Sequence, residues 1–100
     1  MKLSRVLKEY TGGGERLLCF QCPGCNTEHP FRIETADRER PTWAWNGNVE
    51  LPTFTPSLIV FKDDARYRCH IIVTDGKIQF LGDCHHALAG RTVDMVEIDG

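Results

Sequence analysis

The chain has 100 residues, with 12 Lys+Arg against 14 Asp+Glu and a formal net charge of −2. That length fits one small domain, residues 1–100. The near-neutral charge argues against a broad electrostatic grip on nucleic acid or anionic lipid. No apolar run reaches the roughly 18 residues of a transmembrane helix, and residues 1–8 lack the apolar stretch of a signal peptide. A cytoplasmic protein with no membrane partner is expected. Hydrophobic residues are 41% of the chain, enough for a modest core that gains from a staple.

In chain order, Leu3, Val6, Leu7 and Tyr10 fall at i, i+3, i+4 and i+7. This spacing fits a short amphipathic helix stopped by Gly12-Gly13-Gly14, with a strand as the alternative. Residues 17–21 read as a strand and residues 31–34 as its return partner. Residues 35–41 read as a charged loop, and the nearby basic cluster of Arg32, Arg38 and Arg40 is interleaved with Glu34, Asp37 and Glu39. Trp43 and Trp45 lie on one side of a short strand before an Asn46-Gly47 turn. They either pack into the core or form an aromatic platform for bases or a partner. Pro52 and Pro56 keep residues 52–57 extended, and residues 57–61 have strong strand preference.

The clearest element is a hairpin. Residues 66–74 and 77–83 flank Asp75-Gly76, a two-residue type I′ turn signal that fixes the pairing. Thr74 then pairs with Lys77, Val73 with Ile78, Ile71 with Phe80, Cys69 with Gly82 and Tyr67 with Cys84. One face carries Tyr67, Cys69, Ile71, Val73, Ile78, Phe80 and Cys84. The other carries Arg68, His70, Ile72, Lys77, Gln79, Leu81 and Asp83. Cys69 and Cys84 are diagonal neighbours, roughly 7 Å apart, and a bulge near Gly82 would upset this pairing. Residues 85–90 suit one helical turn ended by Gly90, and residues 92–98 alternate like a last strand.

Five cysteines without a secretory signal point to a metal rather than a disulfide framework. Cys22-Pro23-Gly24-Cys25 has the turn composition of a zinc knuckle. Pro30 would interrupt the helix that a redox C-x-x-C needs after its first thiol. The second half supplies further donors in Cys69-His70 and Cys84-His85-His86. The expected Zn²⁺ site draws on Cys22, Cys25, Cys69, Cys84 and His86, with His70 also possible. His29 reads as a surface or supporting residue and Cys19 as core. The expected fold is mainly β, a small α+β domain. Its antiparallel sheet is zinc-ribbon-like, with the C-x-x-C knuckle beside a β-hairpin. No catalytic residue is assigned, because H-x-E…P-C-x-x-C, H-E-x-x-H and G-x-S-x-G are all missing.

The order Cys22-Pro23-Gly24-Cys25 with His29, then Trp43-Ala44-Trp45-Asn46-Gly47, Pro52 to Leu58, Cys69-His70, Asp75 to Leu81 and Asp83 to Val93 resembles a family of small phage and prophage proteins. Many of its members carry the label "ammonia monooxygenase". The resemblance spans roughly residues 18–96. It implies a phage-encoded, Cys/His-rich zinc-type domain and supports His86 as a ligand beside Cys84. The function expected is a macromolecule-binding accessory module with a structural zinc. Its partner would be a host protein, and inhibition of a host defence protein is one form. The alternatives are a nucleic-acid-binding zinc-ribbon protein and a metal-dependent hydrolase using His86 or His70.

Overall fold

A computed structural model describes residues 1–98, and among them the regular elements are all strands. β1 (Lys8–Gly12), β2 (Glu15–Cys22) and β3 (Thr27–Thr35) form one antiparallel sheet in that order. β4 (Ala44–Trp45), β5 (Phe54–Val60), β6 (Cys69–Thr74), β7 (Lys77–Phe80) and β8 (Thr92–Asp94) form a second, also in chain order. The mainly β expectation holds. Among the described residues no helix is long and apolar enough to cross a membrane.

The helix expected near the N-terminus does not form. Gly13 and Gly14 adopt φ of 58° and 78°, which lets the glycines close a β1–β2 hairpin. The apolar spacing upstream serves burial without a helix. Ser4 Oγ accepts the amides of Val6 and Leu7 at 3.2 and 3.1 Å, and this turn drives both side chains into the core. Residues 85–90 likewise form successive turns, with Ala89 N donating to His86 O and Arg91 N to Leu88 O.

The two sheets meet through aromatic rings. Phe31 of β3 stacks on Phe54 of β5 at 4.0 Å between centroids, with planes 5° apart, and Phe20 lies 5.7 Å from Phe31. Trp43 packs edge-on against Phe31, and its Nε1 donates to Ser57 O at 3.1 Å. Trp45 stacks with Phe54 under the Arg16 guanidinium. Both tryptophans therefore pack against the core rather than forming a free platform. In the arginine loop, Arg40 is committed to Glu15 at 2.8 Å.

The β6–β7 hairpin has the register that its turn dictates. Asp75 and Gly76 both have positive φ, 49° and 75°, the type I′ geometry. Thr74 faces Lys77, Val73 faces Ile78 and Ile71 faces Phe80. The inner face buries Cys69, Ile71, Val73, Ile78 and Phe80. The outer face carries His70, Ile72 and Gln79. The ladder ends earlier than the sequence suggests. Leu81 N still donates to His70 O at 2.9 Å, but Leu81 O then accepts Cys84 N in a turn. The expected Cys69–Gly82 and Tyr67–Cys84 pairs are lost to that turn. On the other side of β6, Phe54 faces Val73 and Leu58 faces Ile71. Thr55, Pro56 and Ser57 thus stand against Ile72 alone, a bulge that locally re-aims the strand.

Phe31 sits at the junction of the sheets with no exposed surface. Phe31→Ala is expected to cost about 3–5 kcal/mol of folding stability, lowering Tm by more than about 10 °C in calorimetry.

Candidate functional site

Two clusters of chemical groups flank β6, one on each face. The inner cluster begins at the end of β2. Cys22 closes that strand, and the turn of Pro23 and Gly24 brings the amide of Cys25 to 3.4 Å from Cys22 Sγ. Asn26 completes the turn with φ of 57°, and its amide donates a hydrogen bond to Cys22 O at 2.8 Å. This is the knuckle geometry that the C-P-G-C composition predicts. Cys69 enters from the first position of β6, with its Sγ 4.0 Å from that of Cys22. His29 enters from β3, where it faces Phe20. Donor atoms of Cys22, Cys25, His29 and Cys69 all lie within 4.8 Å of one another, close enough to hold a metal ion. Two sulfurs bound at about 2.3 Å to one tetrahedral ion stand about 3.8 Å apart, near the Cys22–Cys69 separation.

The electrostatics of this cluster are those of thiols crowded together. A hydrogen bond from Cys69 and contacts with His29 pull the Cys22 thiol far below its ordinary range, to about 3. The same bond, with burial, pushes Cys69 far up. Burial and the neighbouring Cys22 charge raise Cys25 to about 11. A thiolate at one of these sulfurs opposes a second beside it unless a cation joins them. His29 is 3% exposed, and its Nε2 is buried with no hydrogen-bond partner. The surface placement expected for His29 is therefore corrected, and its orphan nitrogen suits a metal bond.

Further donors surround this set. His86 Nε2 lies 3.6 Å from Cys69 Sγ, and its ring covers Gly24 so closely that a Cβ there would fall 2.2 Å from it. His86 Nδ1 accepts the Leu88 amide at 3.2 Å, which leaves Nε2 as the protonated nitrogen facing Cys69. Cys69, Cys84 and His86 form a second close group, and Cys25, His85 and His86 a third. Cys19 is buried away from these groups, and burial raises its thiol to about 11.

The outer face carries a different chemistry. Side chains alternate along a strand, so His70 points away from the thiols that Cys69 joins. His70 faces Ile59 of β5, which places Ser57 diagonally beside it. His70 Nε2 lies 3.1 Å from Ser57 Oγ. On the other side, His70 Nδ1 lies 3.3 Å from Asp83 Oδ2. Hydroxyl, imidazole and carboxylate stand in the order of a proton relay. The chain has one other serine, Ser4. Its hydroxyl donates to Val49 O at 2.6 Å and accepts two amides, so it is not available to a histidine. The hairpin pairing read from the sequence already puts His70 and Asp83 on one face. What it lacks is Ser57, whose position depends on the β5 bulge.

The chain belongs to the family described as bacterial ubiquitination-like system serine protease (BubE), whose model matches residues 2–81. The match includes Ser57 and His70 and ends two residues before Asp83. It bears neither way on the resemblance to phage and prophage proteins. No curated protein and no solved structure matches the chain.

His29→Ala is expected to weaken binding of a thiol-loving divalent cation by at least about 10- to 100-fold, measured by competition with a chromophoric chelator. Co²⁺ spectra should change from one-nitrogen, three-sulfur ligation. Unchanged affinity and spectrum would remove His29 from the ligand set.

Proposed function

We propose that this chain is a serine protease that acts within a bacterial ubiquitination-like system and is built around a structural zinc ion. The observation that carries the reading is the Ser57–His70–Asp83 relay, at 3.1 and 3.3 Å. The family name supports the same chemistry.

In this reading Ser57 Oγ attacks a peptide carbonyl while His70 Nε2 takes its proton. The tetrahedral species collapses to an acyl-enzyme as His70 passes that proton to the leaving amine. Water then repeats the sequence, with its proton going to His70, and frees the acid and the Ser57 hydroxyl. Asp83 accepts Nδ1–H, keeps Nε2 free to act as base and stabilises the imidazolium. Its side chain is 42% exposed, so water shares this task.

Zinc fits the inner cluster because three thiols and one imidazole are a common tetrahedral donor set for that ion. Cys22, Cys25, Cys69 and His29 would hold it, and His86 would donate Nε2–H to the Cys69 sulfur. Bound zinc supplies charge neutralisation and cross-linking between β2, β3 and β6. A metal-dependent hydrolase would instead need an open coordination position, which four protein donors do not leave.

A fluorophosphonate probe tests the relay without knowledge of the substrate. Wild-type protein is expected to gain one covalent adduct on Ser57, located by peptide mass spectrometry. Ser57→Ala should abolish it, and His70→Ala should slow it by at least about 1,000-fold. Asp83→Asn should slow it by about 100- to 10,000-fold. Labelling that survives Ser57→Ala at the wild-type rate would overturn the reading.

Zinc removal should unfold the domain, because metal binding in so small a core is folding free energy. Treatment with a strong chelator is expected to collapse the cooperative melt, and added Zn²⁺ to restore it. A chelated protein that melts as before would refute the structural role.

A further inference from the structure

The turn after β7 leaves a gap beside the relay histidine. His70 and Leu81 face each other as a hydrogen-bonded pair, since Leu81 N donates to His70 O at 2.9 Å. In a regular antiparallel ladder, His70 N would return the bond to Leu81 O. Leu81 O has instead rotated into the turn and accepts Cys84 N at 3.2 Å. The acceptor that takes its place is a sulfur. His70 N donates to Cys84 Sγ at 3.3 Å, and the Cys84 thiol donates back to His70 O at 3.2 Å. One thiol thus supplies the acceptor that His70 N lacks and adds a second donor to His70 O, which already takes Leu81 N.

We propose that Cys84 is a positioning residue for the Ser57–His70–Asp83 relay rather than a metal ligand. This inference rests on the protease reading. Cys84 directly follows Asp83, so its two bonds fix the carboxylate's loop to the backbone of the imidazole that the carboxylate orients. His85 N donates to Arg68 O at 2.9 Å and holds the loop two residues further back along the β6 side. Cys84 Sγ lies within reach of Cys69 and His86 as a metal donor. A thiolate bound to metal would give up the S–H bond to His70 O. The amide bond donated by His70 suits either role, but Cys22, Cys25, His29 and Cys69 already make a complete tetrahedral donor set without Cys84, which leaves its thiol to the clamp.

Cys84→Ala removes both bonds, whereas Cys84→Ser keeps a donor and an acceptor in the same place. Zinc content of both variants is expected to match wild type. Cys84→Ala should react with the fluorophosphonate about 10- to 100-fold more slowly, the scale of a small displacement in a catalytic group. Cys84→Ser should stay within about threefold of wild type. Amide hydrogen exchange gives a readout independent of activity. The His70 amide should exchange at least about tenfold faster in Cys84→Ala, while Ile71, held by the β5 ladder, keeps its protection. Loss of zinc from Cys84→Ser would overturn the proposal, as would a Cys84→Ala protein with wild-type labelling and His70 exchange. A wild-type protein that never labels refutes the protease reading alone, because the exchange and zinc measurements still decide whether Cys84 clamps His70.

Discussion

The arrangement depends on the alternation of side chains along β6. Cys69 and His70 are adjacent, and a strand sends adjacent side chains to opposite faces. The inner face, where β6 packs on the core, receives the thiol. The outer face, bordered by β5 and the turn after β7, receives the imidazole. A slip of one residue would exchange them, placing an imidazole among thiols and a thiol beside Ser57. The Asp75-Gly76 turn prevents that slip, because two residues with positive φ fix the pairing from the closed end of the hairpin.

The inner cluster carries its own constraint. Two thiolates at the 4.0 Å separation of Cys22 and Cys69 repel by about 4 kcal/mol at an effective dielectric near 20. Protonation relieves that repulsion but leaves three polar sulfurs and the unpartnered Nε2 of His29 in a small interior. A divalent cation resolves both difficulties and ties together strands from two sheets. β2 and β3 reach the core through Leu18, Phe20, Cys22 and Phe31, and a metal held by Cys22, His29 and Cys69 would add a bridge to β6. It would also anchor the residue next to His70.

Much of this was legible in the sequence because it depends on local rules. The C-P-G-C turn, the type I′ hairpin and the alternation of residues 69–80 follow from residue types within a few positions. They placed His70 on one face and Cys69 on the other; Asp83 was expected on His70's face from a pairing that ends at Leu81, and the turn after Leu81 is what brings its carboxylate there. Ser57 was not legible as a partner of His70. Its place depends on three residues of β5 standing against one of β6, and no periodicity in residues 52–61 encodes that offset. The burial of His29 was hidden for a similar reason, since it arises from the β2–β3 pairing that sets His29 against Phe20. The N-terminal apolar spacing misled because a Ser4-capped turn buries Val6 and Leu7 as effectively as a helix does.

The separation of the two clusters also explains why a short chain can hold a strained-looking set of polar groups without a large core. Each polar group near β6 is satisfied from the side opposite its neighbour: Cys69 by the thiols and His86, His70 by Ser57 and Asp83. The backbone between them is closed by Cys84. Where β7 turns away at Leu81, the His70 amide would be left open beside the relay, free to take water and to let the imidazole shift. A cysteine is well suited to that gap. Its thiol is both donor and acceptor, and it is tolerated at the apolar boundary of the inner face better than a hydroxyl. That dual character lets one residue end a strand, close the core and hold a base in line with its hydroxyl.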